Sequence, residues 1–148
     1  MRAETSALWT ASEGGLEEEV SHLIARDAGV EGRGGSSQCS PLAIAALRGH
    51  IDIARLLLAQ SADVSSTDSQ GQTVLHMAVM GGKEELILLL LRSGADTTAR
   101  TELGTALHLA ASAGMMAGSV LLLNNGAALS ARNCRGQTPE DLAFAGGH

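Results

Sequence analysis

Aromatic side chains are almost missing from this chain of 148 residues: one Trp, one Phe and no Tyr, against 18 Gly. A core built without rings has to be filled by Leu, Ala, Ile and Val, which suits thin helices in close approach better than the thick filling of a β-sandwich. Basic residues are few as well. Ten Lys and Arg against 16 Asp and Glu leave a formal charge of −6, and the ten are scattered from Arg2 to Arg135 without a cluster. Binding to a phosphate backbone draws its free energy from counterion release along a basic stripe, so this distribution argues against a nucleic acid partner and against an anionic membrane surface. Two cysteines, Cys39 and Cys134, are too few for the disulfide framework of a small secreted domain. No apolar run exceeds the six residues of LILLLL at 86–91, where about 20 are needed to cross a bilayer. The opening stretch MRAETSALWTASEGG lacks the apolar segment of a secretory signal, and no Asn-x-Ser/Thr acceptor occurs. The expectation is an intracellular protein of the cytoplasm or nucleus, with no membrane insertion.

What the chain does have is a period. The hexapeptides SALWTA, SPLAIA, TVLHMA, TALHLA and TPEDLA begin at residues 6, 40, 73, 105 and 138, at spacings of 34, 33, 32 and 33. Nine residues after each start stands a glycine: Gly15, Gly49, Gly82, Gly114 and Gly147. Twelve further on come DAGV, SADV, GADT and GAAL at 27, 61, 94 and 126. Landmarks kept in phase mark a stacked-repeat architecture.

Each unit makes physical sense alone. The Ser or Thr that opens a hexapeptide (Ser6, Ser40, Thr73, Thr105, Thr138) is read as a helix N-cap, and Pro41 and Pro139 follow at the position where a missing N–H costs nothing. The short helix begun there buries Leu75 and Ala78, or Leu107, Ala110 and Ala111, and stops at the glycine. A second helix carries acids in its first turn (Glu17, Glu18, Glu19; Asp52; Glu84, Glu85), where the helix dipole favours them. Its apolar face is expected to hold Val20, Leu23 and Ile24; Ile53, Leu56 and Leu57; Leu86, Leu89 and Leu90; and Val120, Leu122 and Leu123 in the successive units. Asp68 before Gly71 and Asn133 before Gly136 then supply turn chemistry.

The words GQTVLHMAVMGG with LLLLRSGAD, and GTALHLAASAG with LLLNNGAA, resemble the ankyrin repeat, in phase and period as well as in residues. The resemblance covers residues 38–148, with a degenerate copy from about 5 to 37. It implies an all-α solenoid of stacked helix-turn-helix pairs with projecting β-hairpin-like loops, serving protein–protein binding. The single domain, 1–148, divides into units 5–37, 38–69, 70–102, 103–135 and a partial 136–148. The last unit stops after its first helix, which is read either as a short C-terminal cap or, in preference, as part of a longer chain. The loops hold Ser65, Thr98 and Ser130 where some family members carry a hydroxylated Asn, so that modification is not expected.

His76 and His108 fall three residues after a capping Thr, where an imidazole can bond back to the cap. The same slot holds Trp9, Ala43 and Asp141 elsewhere, and a metal would need further converging ligands, so both histidines are read as braces. His22, His50 and His148 are read as structural too. GGK at 81–83 lacks the Ser/Thr and the earlier glycine of a phosphate loop, and GRGGSS at 32–37 lacks a preceding strand and reads as a flexible connector. Cys39 and Cys134, in loops about three units apart, lie beyond disulfide reach of about 7 Å. No catalytic set, cofactor site, metal site or small-molecule substrate emerges. Variation between units is cheap at loop tips and first-helix ends, which nominates Ser69, Gln70, Gln72, Glu102, Leu103 and Arg135 in the loops and Leu47, Arg48, Met80 and Ser112 near the turn glycines as partner-binding residues. Arg48 and Arg135 lead, since hot spots favour Arg. The expected partner is another protein or another domain of the same chain. The alternative is a regulatory or targeting segment of a larger multidomain enzyme or signalling protein with catalysis elsewhere.

Overall fold

The computed structural model describes residues 2–148, so residue 1 of the expected domain lies outside the described residues. Nine helices run through them: α1 (Arg2–Gly14), α2 (Glu17–Ala25), α3 (Pro41–Arg48), α4 (Ile51–Ala59), α5 (Val74–Gly81), α6 (Glu84–Arg92), α7 (Ala106–Ser112), α8 (Met116–Asn124) and α9 (Pro139–Ala145). The fold is all-α, and the odd and even helices form two ladders. α1, α3, α5, α7 and α9 each contact the next in that order, and α2, α4, α6 and α8 do the same on the outside. The inner ladder is the drier one. In α3 the run Pro41–Ala46 is buried, and in α5 the run Val74–Val79, because these helices are covered on both sides by neighbours and from behind by the outer row.

The helix boundaries follow from caps. Ser40 Oγ accepts from the N–H of Ala43 at 3.2 Å, Thr73 Oγ1 from that of His76 at 3.4 Å, and Thr138 Oγ1 from that of Asp141 at 3.2 Å. Pro41 and Pro139 occupy the first helical positions. Gly49 and Gly82 close α3 and α5 in the left-handed conformation, which a side chain at Cβ would disfavour. The connections behave as Asx turns where the chain holds Asx. Asp68 Oδ1 accepts the N–H groups of Gln70 and Gln72 at 2.8 and 2.9 Å, and Asn133 Oδ1 those of Arg135 and Gln137, both at 3.0 Å. In the loop that is one residue shorter, Thr101 Oγ1 takes over and accepts from Leu103 N–H at 3.1 Å. Hairpin character is confined to isolated bridges: Gly34 with Cys39, Thr67 with Thr73, and Thr101 with Gly104.

Three expectations change. Ser6 is not an N-cap, since α1 starts upstream of it and runs through SALWTA as one helix. GRGGSS is a packed segment: a Cβ added at Gly34 or Gly35 would meet the Trp9 ring at 2.5 or 2.7 Å, so the indole that replaces the histidine lies against these glycines. Arg33 in this segment donates to the carbonyls of Gln38 and Thr67 and thereby ties it to the next loop. The expectation for the cysteines does not change: both thiols are free, Cys39 buried in the core and Cys134 exposed. On the outer helices the fully buried positions include Ala54 and Ile87, whereas Val120 is exposed; this difference comes from stacking between layers.

Candidate functional site

The two histidines are joints. Thr73 N–H donates to His76 Nδ1 at 3.4 Å and Thr73 Oγ1 lies 2.8 Å from the same nitrogen; Thr105 N–H and Oγ1 meet His108 Nδ1 at 3.1 and 2.9 Å. A nitrogen that accepts a backbone N–H carries no proton, so the proton sits on Nε2. From there His76 donates to the Gly104 carbonyl at 3.2 Å and His108 to the Gln137 carbonyl at 2.9 Å. Each imidazole therefore closes the N-terminus of its own inner helix and grips the loop that enters the next layer. Among the described residues no group of three or more His, Cys, Asp or Glu is arranged to hold a metal ion.

Burial pushes the His76 imidazole below its ordinary value of 6.5, against the opposing pull of the Gly104 carbonyl and the Asp68 charge. A lowered pKa means that the unfolded chain takes up a proton the folded one refuses, so the contribution of His76 to stability is complete above pH 6.5 and is lost as the pH falls through the folded value. Unfolding free energies from urea denaturation, measured from pH 8 down to pH 5, should fall, with the share due to His76 bounded by the one-proton limit of about 1.4 kcal/mol per pH unit. His76→Asn should be less stable at neutral pH and should lack that segment of the slope. An unchanged slope in His76→Asn would show that other groups carry it.

The loop edge is the other constructed surface. Ser69, Gln70, Gln72, Glu102 and Leu103 come together, with Thr101, around an open groove of about 500 Å³ between two adjacent loops. Its walls are fixed by bonds that cross layers: Ser69 N–H donates to the Ser37 carbonyl at 2.8 Å, and Cys134 Sγ to the Glu102 carbonyl at 2.9 Å. Inside the groove Gln72 donates to Gln70 Oε1 at 3.3 Å, and its own Oε1 is buried without a partner. Beside the loops, the hydroxyl and then the N–H of Ser65 hold the Asp63 carboxyl below the usual carboxylate range, and Thr98 does the same for Asp96. Both carboxylates cap their own turns.

The remaining nominated residues do not line that groove. Leu47, Met80 and Ser112 stand in the last turns of α3, α5 and α7; Leu47 is half-buried, and Met80 and Ser112 are exposed. Arg48 is engaged within the fold, its guanidinium 2.8 Å from Glu13 Oε1 across α1 and α3. Arg135 is exposed in the next loop, with its backbone N–H on Asn133. Sequence reasoning passed over a second concavity, at the far end of the stack. It is lined by Met116, Val120, Leu123, Leu129, Pro139 and Ala143, among others, and measures about 430 Å³. Its signal was present in the sequence: α8 opens with Met, Ala and Gly where α2, α4 and α6 carry acids.

Residues 8–101 and 75–148 each match the family described as ankyrin repeats (three copies). The palmitoyltransferase AKR1 of Lachancea kluyveri is 36% identical over 69 residues, a stretch that makes up 47% of this chain and 9% of that protein. The shared region thus spans less than a tenth of this relative's length. No helix among the described residues is long and apolar enough to cross a membrane.

Proposed function

The chain belongs to the ankyrin-repeat family, and from that premise we propose that it is a non-catalytic module that binds another protein through its loop edge and the C-terminal ends of its inner helices. The observation that carries the reading is the groove between adjacent loops, where five of the nominated residues meet on backbone held by bonds across layers. A surface organised before contact loses little conformational entropy on binding. Leu103 and Met80 offer exposed apolar area, and Glu102 and Arg135 offer charges that set register. Arg48, already paired with Glu13, ranks below them. The reading places the module in a reducing compartment, which the free Cys39 and Cys134 suit.

A second reading is supported by the relative. A stretch similar to this chain forms 9% of a protein named as a palmitoyltransferase, and a segment of that kind would target or regulate an enzyme whose chemistry lies in other domains. The two readings share the surface and differ in what is covalently attached to it.

The test is the triple variant Met80→Ala, Glu102→Ala, Leu103→Ala, compared with the parent in affinity purification with quantitative mass spectrometry. All three side chains are exposed, so stability should change by less than about 1 kcal/mol. A partner recovered with the parent should fall about tenfold or more with the variant, the loss expected when hot-spot area is removed. If every association survives the triple substitution, the loop edge is not the binding surface.

A further inference from the structure

The groove between the loops in the middle of the stack is short of hydrogen-bond donors. Glu102 is the single ionisable residue in its lining. Its carboxylate has no side-chain partner among the described residues, where the ion pairs join Arg26 to Glu4, Arg48 to Glu13 and Arg55 to Glu85. Gln72 Oε1 is shut away from water with nothing bonded to it, which leaves a desolvated acceptor uncompensated. Other polar groups of the lining are already engaged. Gln72 Nε2 donates to Gln70 Oε1 at 3.3 Å, and Thr101 Oγ1 donates to the Gly104 carbonyl at 3.2 Å while accepting from Leu103 N–H at 3.1 Å.

An orphaned amide oxygen and an unpaired carboxylate on one groove call for a cation with several donors. A guanidinium carries five N–H donors in one plane and no acceptor, so it can serve both oxygens at once. An ammonium is a compact, strongly hydrated point charge and surrenders more hydration on entering. Leu103, 54% exposed, offers apolar surface to the methylene stem of an arginine. The surroundings restrict what flanks that arginine. Arg100, two residues before Glu102, and Arg135, in the following loop, are both exposed and form no ion pair among the described residues. A basic run would meet two like charges there, whereas acidic residues beside a lone arginine would meet opposite ones.

We propose that the groove receives an arginine side chain from an acidic-flanked segment of a partner protein, held by the Glu102 carboxylate and Gln72 Oε1; this rests on the reading of the loop edge as the binding surface. A second copy is a poorer source of that arginine. Its Arg26, Arg48 and Arg55 are ion-paired, and its Arg33 and Arg132 are bonded to loop carbonyls. Arg92 is exposed on α6, but Leu91 and Ser93 stand beside it in place of acids.

The probe is a library of ten-residue peptides with degenerate flanks, each of the twenty amino acids fixed in turn at one central position, selected on the immobilised full chain. Arginine should be enriched over lysine and over every neutral residue, with Asp or Glu around it. Fluorescein-labelled forms of the enriched peptides should bind with a Kd of about 1–100 μM. Exchanging their arginine for citrulline, which keeps the shape and loses the charge, should weaken binding about tenfold or more, and so should Glu102→Gln. The Glu102 side chain makes no bond within the fold, so this variant stays folded, which circular dichroism checks. Gln72→Met should also weaken binding, whereas Gln72→Glu, an acceptor of the same shape, should preserve or tighten it. Selection without a preference for arginine, no selected peptide at all, or an affinity indifferent to Glu102→Gln overturns the proposal. Sedimentation showing a dimer that Glu102→Gln dissolves gives the groove to a second copy and overturns it too. The loop edge itself is judged separately by the Met80, Glu102 and Leu103 triple variant. Partners lost to that variant while citrulline is tolerated remove the arginine and leave the loop edge as the binding surface; partners that survive it remove both.

Discussion

Ile87→Asp should unfold the protein, and Ser119→Asp, at the corresponding place one repeat later, should cost less than about 1 kcal/mol. Ile87 is fully buried between α6 and α8, with its Cδ1 directed at Gly118. No basic side chain belongs to the core around it, so a carboxylate there would be desolvated without a partner or would fold only when protonated. Leaving a buried charge unpaired costs about 3–5 kcal/mol, to which the lost packing of the isoleucine adds about 2 kcal/mol or more. Domains of this size are stable by about 5–15 kcal/mol in total, and a solenoid this short has few layers over which to spread the loss. Ser119 differs only in what lies outside it: its neighbours in the groove leave its side chain open to water. Urea denaturation followed by circular dichroism reads both variants. Equal damage from the two would show that the far end of the stack is as closed as its middle.

The contrast between these residues also shows where sequence reading stops. The period, the caps at Ser40, Thr73 and Thr138, the turn glycines and the Asx turns at Asp68 and Asn133 were legible because each is a local bargain between a side chain and its own backbone. The histidine bond back to the cap is equally local, and its phase after Thr73 and Thr105 announced it. The far half of the same imidazole was not legible, because the Gly104 and Gln137 carbonyls are 28 and 29 residues away. The same distance hides which apolar residues of an outer helix are driest. Helix periodicity nominated Leu56, Leu89 and Val120, yet Ala54 and Ile87 are buried to 0% because the next layer rests on them. It also hides the engagement of Arg48 by Glu13, 35 residues earlier, and the burial of Cys39. Of the groove between the loops, the lining residues were nominated because loops vary where the core does not constrain them. The end groove was missed because an uncovered face has the composition of a covered one.

Gly81→Ala is expected to destabilise the protein by about 3 kcal/mol, the upper range for overpacking a close contact, and local rules give the opposite sign. Gly81 is the last residue of α5, and an alanine in a helix is normally worth up to about 1 kcal/mol over glycine. Its Cβ, however, would stand 2.6 Å from the carbonyl oxygens of both Ala46 and Leu47 at the end of α3. The obstruction is backbone, so no rotamer change relieves it, and the two inner helices have to separate. α3 and α5 form the most extensive helix contact in the stack, so a shift there disturbs the buried Leu42, Ala45, Leu75 and Ala78 together. The adjacent glycine supplies the control. Gly82 adopts φ of +71° with nothing within 4 Å of an added Cβ, and Asn tolerates that left-handed conformation better than other residues, so Gly82→Asn should cost less than about 1 kcal/mol. A denaturation series on the two variants separates turn chemistry from helix approach. Leu47 and Met80 flank the same point of approach, so Gly81→Ala should also weaken whatever binds the first-helix ends, while Gly82→Asn leaves it intact. If Gly81→Ala instead gains the stability that helix propensity promises, α3 and α5 do not approach this closely, and the surface built on their ends is differently shaped.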